Sequence, residues 1–400
     1  MHYIRLLRPA RFSATSHDIS LLVTITTDLG DSFLHPDTPV DLVVAADSPT
    51  GEPLLQPLLA RNSHHPPRRR WVAGMRVLDV RVPLLPHLRE EHVTCTVTIR
   101  PAAQGPPSGL VGSADVLPRK GAAGNRGLIM PASVEMVGGV CSPVSLRTLE
   151  LRTGDHPRDH QLRVHLEEDI GESIARHIWD AGVVTACFLA DACLAREAIS
   201  DVLPIRRDSF SVLELGSGVG VLGITVARIL ERAAAAQGTT LREAAVLLTD
   251  LPEAEERARS NIARAAAALS GRDSVVGLHY ENLDWDDGRG GRFGPLASAR
   301  AWDLVVLSDC TYNADSLPAL VGTLSALHAV GLAYSEPGAD ARSSVLLATK
   351  PRHASERALF GLLEADGWRY RVLRSVPLPK LGGEDEVVDI YLLEKGAETL

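Results

Sequence analysis

The sequence is most informative at first through what it does without. Its five cysteines, Cys95, Cys141, Cys187, Cys193 and Cys310, are odd in number and form no C-x-x-C pair. Neither a zinc site nor a disulfide framework is indicated, and reduced thiols in an intracellular compartment are expected. There is no excess of basic residues: the net charge is -9 and the pI about 5.9. That argues against a dedicated nucleic-acid binder. The opening residues Met1 to Pro9 lack a sustained apolar core and a cleavage site, so no signal peptide is expected. No uninterrupted apolar run reaches the ~20 residues of a bilayer span. A cytoplasmic or nuclear, monomeric protein without a membrane partner is the expectation. What is present, 45% hydrophobic and 23% charged residues over 400 positions, suits one or two globular domains.

The richest stretch is Ser211 to Val226, S-V-L-E-L-G-S-G-V-G-V-L-G-I-T-V. Apolar residues Val212 to Leu215 read as a buried strand and Val221 onward as a helix, with Gly216, Gly218 and Gly220 between them. Such a turn exposes backbone N–H groups to a ligand that must approach the main chain. The frame excludes several chemistries. The third glycine of the dinucleotide pattern G-x-G-x-x-G would fall at Val221. The Lys-Ser/Thr of a P-loop is missing, which removes triphosphate chemistry. Ser217 has Leu215 where a hydrolase elbow needs glycine. Glu214 stands two residues before Gly216, and Asp250 ends the next apolar run, Ala245 to Thr249. A carboxylate there can accept both ribose hydroxyls of a nucleoside lying across strand ends. A cofactor without phosphates and with an amino-acid tail fits this loop, and S-adenosylmethionine has that shape.

Strand and helix signals alternate around it. Strands are expected at Val275–Tyr280, Leu304–Ser308 and Ser344–Thr349, and helices at Val221–Arg232, Pro252–Leu269, Asp315–Ala329 and Ala354–Asp366. Two strand-like runs without a helix between them, Arg369–Val376 and Glu386–Leu393, close the chain. The alternation predicts an α/β fold, a doubly wound Rossmann-like sheet with one reversed strand near its end. Ile170–Ala195 has helical spacing, interrupted at Gly182, so one helix or two are compatible with it. Residues 1–100 alternate with period two in places and predict a β-rich N-terminal domain. The Pro- and Gly-dense segment 101–160 reads as a linker, and 161–400 as the catalytic domain. The basic cluster Pro66 to Arg70 reads as a solvated loop, and His64, His65, His156 and His160 as surface residues.

Four elements, Ile178-Trp-Asp-Ala-Gly182, Leu213 to Gly220, Thr249-Asp-Leu-Pro-Glu253 with Asn261-Ile262, and Asp303 to Tyr312, occur in a fixed order, with a fifth, Asn282-Leu-Asp-Trp285. Together they resemble the class I, seven-stranded methyltransferases, and within them the lysine methyltransferases of chaperones and elongation factors. The resemblance covers roughly residues 165 to 395. It implies an S-adenosylmethionine-dependent transfer to a lysine of a protein substrate, possible acceptors being a translation elongation factor or a chaperone. A small-molecule N-methyltransferase and an inactive scaffold of the same fold stay open. It also implies that Trp179 and Trp285 line the donor site with Glu214, Gly216, Ser217, Gly218 and Asp250, and that Ser308 contacts the donor through its backbone.

Asp309 and Tyr312 form the D-x-x-Y element that the resemblance makes catalytic. A lysine ammonium with pKa ~10.4 costs ~4–5 kcal/mol to deprotonate near pH 7. An ionised Asp309 would raise that pKa. Asp309 is therefore assigned to orienting the amine and Tyr312 to narrowing the channel and making one hydrogen bond. Neither role needs a metal.

Overall fold

The structure is a computed structural model. It describes residues 1–13, 15–54, 69–85, 94–102, 110–117, 127–152, 161–171, 175–192, 203, 207–235, 240–268, 274–334, 342–382 and 385–396. His64, His65, His156, His160, Cys193 and Pro66 to Arg68 lie outside the described residues.

Among the described residues the strands form three sheets. The first is five-stranded, running Arg11–Ser13, Asp18–Thr26, His2–Leu6 and Ile129–Met130, with Leu78–Pro83 on the Asp18–Thr26 strand. The second is eight-stranded and contains Val40–Asp47, Cys95–Pro101, Ala132–Val137 and Val144–Arg152. Alternation decides which face is buried: in Cys95–Pro101, residues Cys95, Val97 and Ile99 point inward and Thr96 and Thr98 are less buried. Ile4, Ile19 and Val23 of one sheet share a single core with Val44, Val97 and Val134 of the other.

The third sheet holds the candidate site. Its strands are β1 (Ser209–Leu215), β2 (Glu243–Asp250), β3 (Val276–Asn282), β4 (Leu304–Ser308), β5 (Arg342–Thr349), β6 (Arg369–Pro377) and β7 (Val387–Gly396). The order is β3-β2-β1-β4-β5-β7-β6. The first five are parallel and β7 runs antiparallel to both β5 and β6. β1 is central and buried from Phe210 to Leu215, as a strand covered on both faces must be. The edge strand β6 carries a bulge between Val372 and Arg374, which breaks up an otherwise open ladder. The helices are α1 (Asp180–Ala192), α2 (Val221–Ala234), α3 (Pro252–Ala268), the short α4 (Trp285–Gly288), α5 (Leu317–Ala333) and α6 (Ala358–Ala365). The seven-stranded, doubly wound architecture expected from the alternation is present, with its reversed strand.

The chain divides into two compact units: residues 1–149, 165–177 and 378–385 form one, and 150–164, 178–377 and 386–400 the other. Three expectations change. The span 101–160 is not solely a connection: Ala132–Val137 and Val144–Arg152 are strands, and Val134 and Met136 lie in the N-terminal core. Its Pro and Gly clusters mask that alternation in the sequence. Helix α1 begins at Asp180, ten residues later than Ile170, because Asp309 supplies acceptors for its first free N–H groups. Finally, Ala314–Ala333 is long and apolar enough, by length and composition, to cross a membrane. Asp315, Ser316 and Thr323 interrupt the run, which hid it. Leu317, Leu320, Leu324 and Leu327 of this helix are buried in the core beside the sheet.

Candidate active site

The turn after β1 is built on left-handed glycines. Gly216, Gly218 and Gly220 have φ of 64°, 53° and 87°. A Cβ on Gly216 would stand 2.5 Å from Cys310 Sγ, and one on Gly220 would stand 2.6 Å from Leu248 Cδ2. Only glycine permits both the conformation and the approach. The turn is pinned from β2: Ser217 N–H donates to Thr249 O at 3.0 Å, and Thr249 Oγ1 donates to Glu214 O at 2.6 Å. Asn261 Nδ2 of α3 donates to Val219 O at 2.9 Å, which explains why an asparagine belongs in that helix.

Two carboxylates flank the turn. Asp250 accepts from Gly218 N–H through Oδ2 and from Leu251 N–H through Oδ1, both at 2.7 Å. A carboxylate offers about four lone-pair positions, so capacity for ribose hydroxyls remains. Burial raises the Asp250 pKa, and its two backbone hydrogen bonds only partly oppose that. Glu214 is 2% exposed and accepts from Gly223 N–H at 2.9 Å through Oε2. Burial, with Asp250 adding the same sign, pushes its pKa up to about 8. The Ser217 side chain is buried and its Oγ has no hydrogen-bond partner among the described residues.

Trp285 is half-buried, and its Cζ2 lies 3.4 Å from where a Gly216 Cβ would stand. Asp284 caps α4, accepting from Asp286 N–H at 2.8 Å, and Thr323 Oγ1 donates to Trp285 O at 3.0 Å. This places the indole beside the glycine turn. Cys310 closes the other side, its Sγ 3.4 Å from Leu215 O. Ser308 ends β4 beside α1, its Oγ 3.2 Å from a Gly182 Cβ position.

Among the described residues, Asp309 is the one non-glycine site residue with a positive φ, 55°. Few non-glycine residues hold that conformation, aspartate more readily than most. Here the carboxylate is 8% exposed as a residue and turned inward. Oδ2 accepts from Ala181 and Gly182 N–H at 2.7 and 3.2 Å, and Oδ1 from Arg352 Nη1 at 3.1 Å. A negative charge at a helix N-terminus is favourable. Asp309 therefore caps α1, not the helix after it, where Asn313 accepts from Asp315 N–H at 3.1 Å. Tyr312 is 53% exposed, and burial of its other half raises its pKa. Trp179 lies under the Arg352 guanidinium, 5.2 Å from carbon to ring centroid.

The end of β5 adds charged residues that none of the sequence motifs includes. Lys350 Nζ donates to the fully buried Asp180 at 2.8 Å, and Glu386 is 3.6 Å away. Thr311 Oγ1 meets Thr349 Oγ1 at 2.8 Å and donates to Glu356 at 2.7 Å. The signal was available: Lys350 and Arg352 follow directly on an apolar strand, at the strand end where Asp309 stands.

A profile of the lysine methyltransferase family matches residues 158–366, just over half of the chain. The chain belongs to the lysine methyltransferase family. Over 231 residues it is 29% identical to the UPF0665 family protein C23C4.06c of Schizosaccharomyces pombe. That alignment covers 57% of this chain and 55% of the yeast protein, so the chain spans about half the length of the curated relative it matches. Among solved structures it is similar to an O-methyltransferase family protein from Burkholderia thailandensis, at 14% identity and a TM-score of 0.32, over 55% of this chain and 60% of that one. M. jannaschii TYW2 in complex with AdoMet is similar at 13% identity and a TM-score of 0.30, over 58% of this chain and 83% of that one.

The donor expected from the sequence, S-adenosylmethionine, can be set against the residues of this lysine methyltransferase family member. Its own residues fit that group. The glycine turn leaves a cradle that a Cβ at Gly216 would fill and, among the described residues, Ser217 Oγ is an orphaned polar atom there and Glu214 is a buried carboxyl without a cationic partner.

Proposed function

We propose that the protein transfers a methyl group to the side-chain amine of a lysine on a protein. The observation that carries this reading is the juxtaposition of the D-x-x-Y pair with the glycine turn, joined by Cys310 Sγ at 3.4 Å from Leu215 O. When bound, S-adenosylmethionine supplies a methyl on a positively charged sulfur, which an amine lone pair can take as the sulfur becomes neutral and the amine proton goes to solvent. The chain's residues do the rest. Gly216 and Gly218 offer backbone against which the amino-acid end lies, Glu214 faces its ammonium, and Asp250 holds the ribose. Trp285 and Trp179 exclude water from either side. Ser308 offers backbone at the end of β4, and Ser217 Oγ is free to donate.

Asp309 orients the acceptor indirectly, since its oxygens hold the start of α1. Tyr312, with its ring half-exposed, is the group that meets the acceptor and narrows its path. Orientation of this kind contributes to an in-line displacement by prepaying the entropy of alignment. Translation elongation factors and chaperones are the first acceptors to test, and the cytoplasm the first compartment.

The experiment is incubation of the full chain with methyl-labelled S-adenosylmethionine and cell proteins, then mapping of labelled peptides. Label on a lysine side chain is expected, and it should disappear with Tyr312→Ala. Label confined to small molecules would overturn the protein reading.

A further inference from the structure

A bare carboxylate is an awkward neighbour for an amine that must give up a proton, because it favours the ammonium. The structure provides a counter-charge. Arg352 Nη1 donates to Asp309 Oδ1 at 3.1 Å, and the Arg352 side chain is 12% exposed. Three further contacts fix it: Nη1 to Lys350 O at 3.4 Å, the Trp179 ring, and its backbone N–H to Glu356 Oε1 at 2.8 Å. Neighbouring charged groups have partners of their own. Lys350 sits between Asp180 and Glu386, and Glu356 also accepts from Thr311 and from His353 N–H. Cys310 stays a thiol, its pKa raised by burial and then by Asp250, Asp309 and Glu214. Arginine suits this place because it keeps its charge at any working pH.

We propose that Arg352 is a charge-balancing, positioning residue for methyl transfer: it cancels the charge of the inward-turned Asp309 carboxylate beside the acceptor site, so that the acceptor amine is not held as an ammonium and can lose its proton. This rests on the lysine reading above. Arg352 acts through Asp309 and does not itself touch the reacting atoms.

The test uses the full chain and two donor analogues. Sinefungin carries an ammonium where the donor has its sulfonium, and S-adenosylhomocysteine is neutral there. Calorimetry gives the ratio of their affinities, which reads the local charge. Arg352→Gln should raise the preference for sinefungin about tenfold, as a unit charge at ~10 Å and an effective dielectric of ~20 implies. Arg352→Lys should stay within about twofold of the wild type, and Asp309→Asn should shift the ratio the other way. With the labelled acceptor protein, the acidic limb of kcat, which reports the enzyme–substrate complex, should move about one pH unit upward in Arg352→Gln. It should return in Asp309→Asn/Arg352→Gln. A folded Arg352→Gln with both readouts unchanged overturns the proposal, as does Arg352→Lys shifting as far as Arg352→Gln. If Arg352→Gln does not fold, Asp309→Asn decides: a tenfold fall in the ratio supports charge balance, and no change refutes it. A wild-type enzyme that methylates no lysine would sink the lysine reading, while the affinity ratio still judges the charge pair.

Discussion

Two buried glutamates, one in each compact unit, are treated in opposite ways. In the N-terminal unit Glu168 is 1% exposed and bonded to the equally buried Arg147. Burial opposes its ionisation, but Arg147, with His177 and Arg5, outweighs burial and holds the carboxyl well below its usual range. Arg147 also donates to Pro131 O and Ile4 O, at 2.5 and 2.7 Å. In the other unit Glu214 is buried as deeply, with Asp250 as its charged neighbour, and is pushed up to about 8. The first carboxylate is committed to the fold. The second is left in want of a cation, as a group that receives a ligand must be. The same side chain in similar dryness thus marks structure in one unit and function in the other.

The largest effect expected from breaking this contrast lies on the structural side. Arg147→Ala strands an anion in the N-terminal core and should cost about 3–5 kcal/mol, read as loss of the N-terminal unit's transition in denaturant unfolding. Next comes Gly216→Ala. A side chain in a left-handed conformation, driven towards Cys310 Sγ, should cost about 2–4 kcal/mol, divided between melting and donor affinity. Asp250→Ala should weaken S-adenosylmethionine binding by roughly ten- to a hundredfold in calorimetry, the loss of about 1.5–3 kcal/mol of hydrogen bonding to a charged group. The smallest, counted per pH unit, is the most diagnostic. Folded Glu214 keeps its proton up to about pH 8, whereas its ordinary value is 4.5. Between those values the folded chain binds more protons than the unfolded one, so this group makes stability fall as pH rises, by at most about 1.4 kcal/mol per unit. Glu214→Gln should flatten that fall in melting curves of the ligand-free protein. A slope unchanged by the substitution would put the two glutamates on the same footing.

Much of the catalytic sheet could be read in the sequence. Val212 to Leu215 and Leu304 to Ser308 are short, apolar and followed by turn residues, and their strands begin and end within a few residues of expectation. The strands at Ala132–Val137 and Val144–Arg152 went unread because neighbouring Pro and Gly dominate a composition argument, while a period-two pattern over six residues is faint. The donor loop was legible because its residues are contiguous and glycine carries a conformational meaning by itself. The partner of Asp309 was not. Ala181 and Arg352 lie 128 and 43 positions from it, and no local pattern links them. Charge pairing at that distance becomes visible only when the parallel strands bring their ends to one edge.

The path of the backbone has a consequence for how this protein can be inherited. The chain passes from one compact unit to the other at 149/150, 164/165, 177/178, 377/378 and 385/386. A gene trimmed ahead of residue 160 would remove part of 150–164 from the methyltransferase unit and leave 165–177 and 378–385 without the body they pack into. An appended module can be gained or lost in one genetic event. These two units alternate along the chain, so a single terminal deletion of that length in the gene touches both.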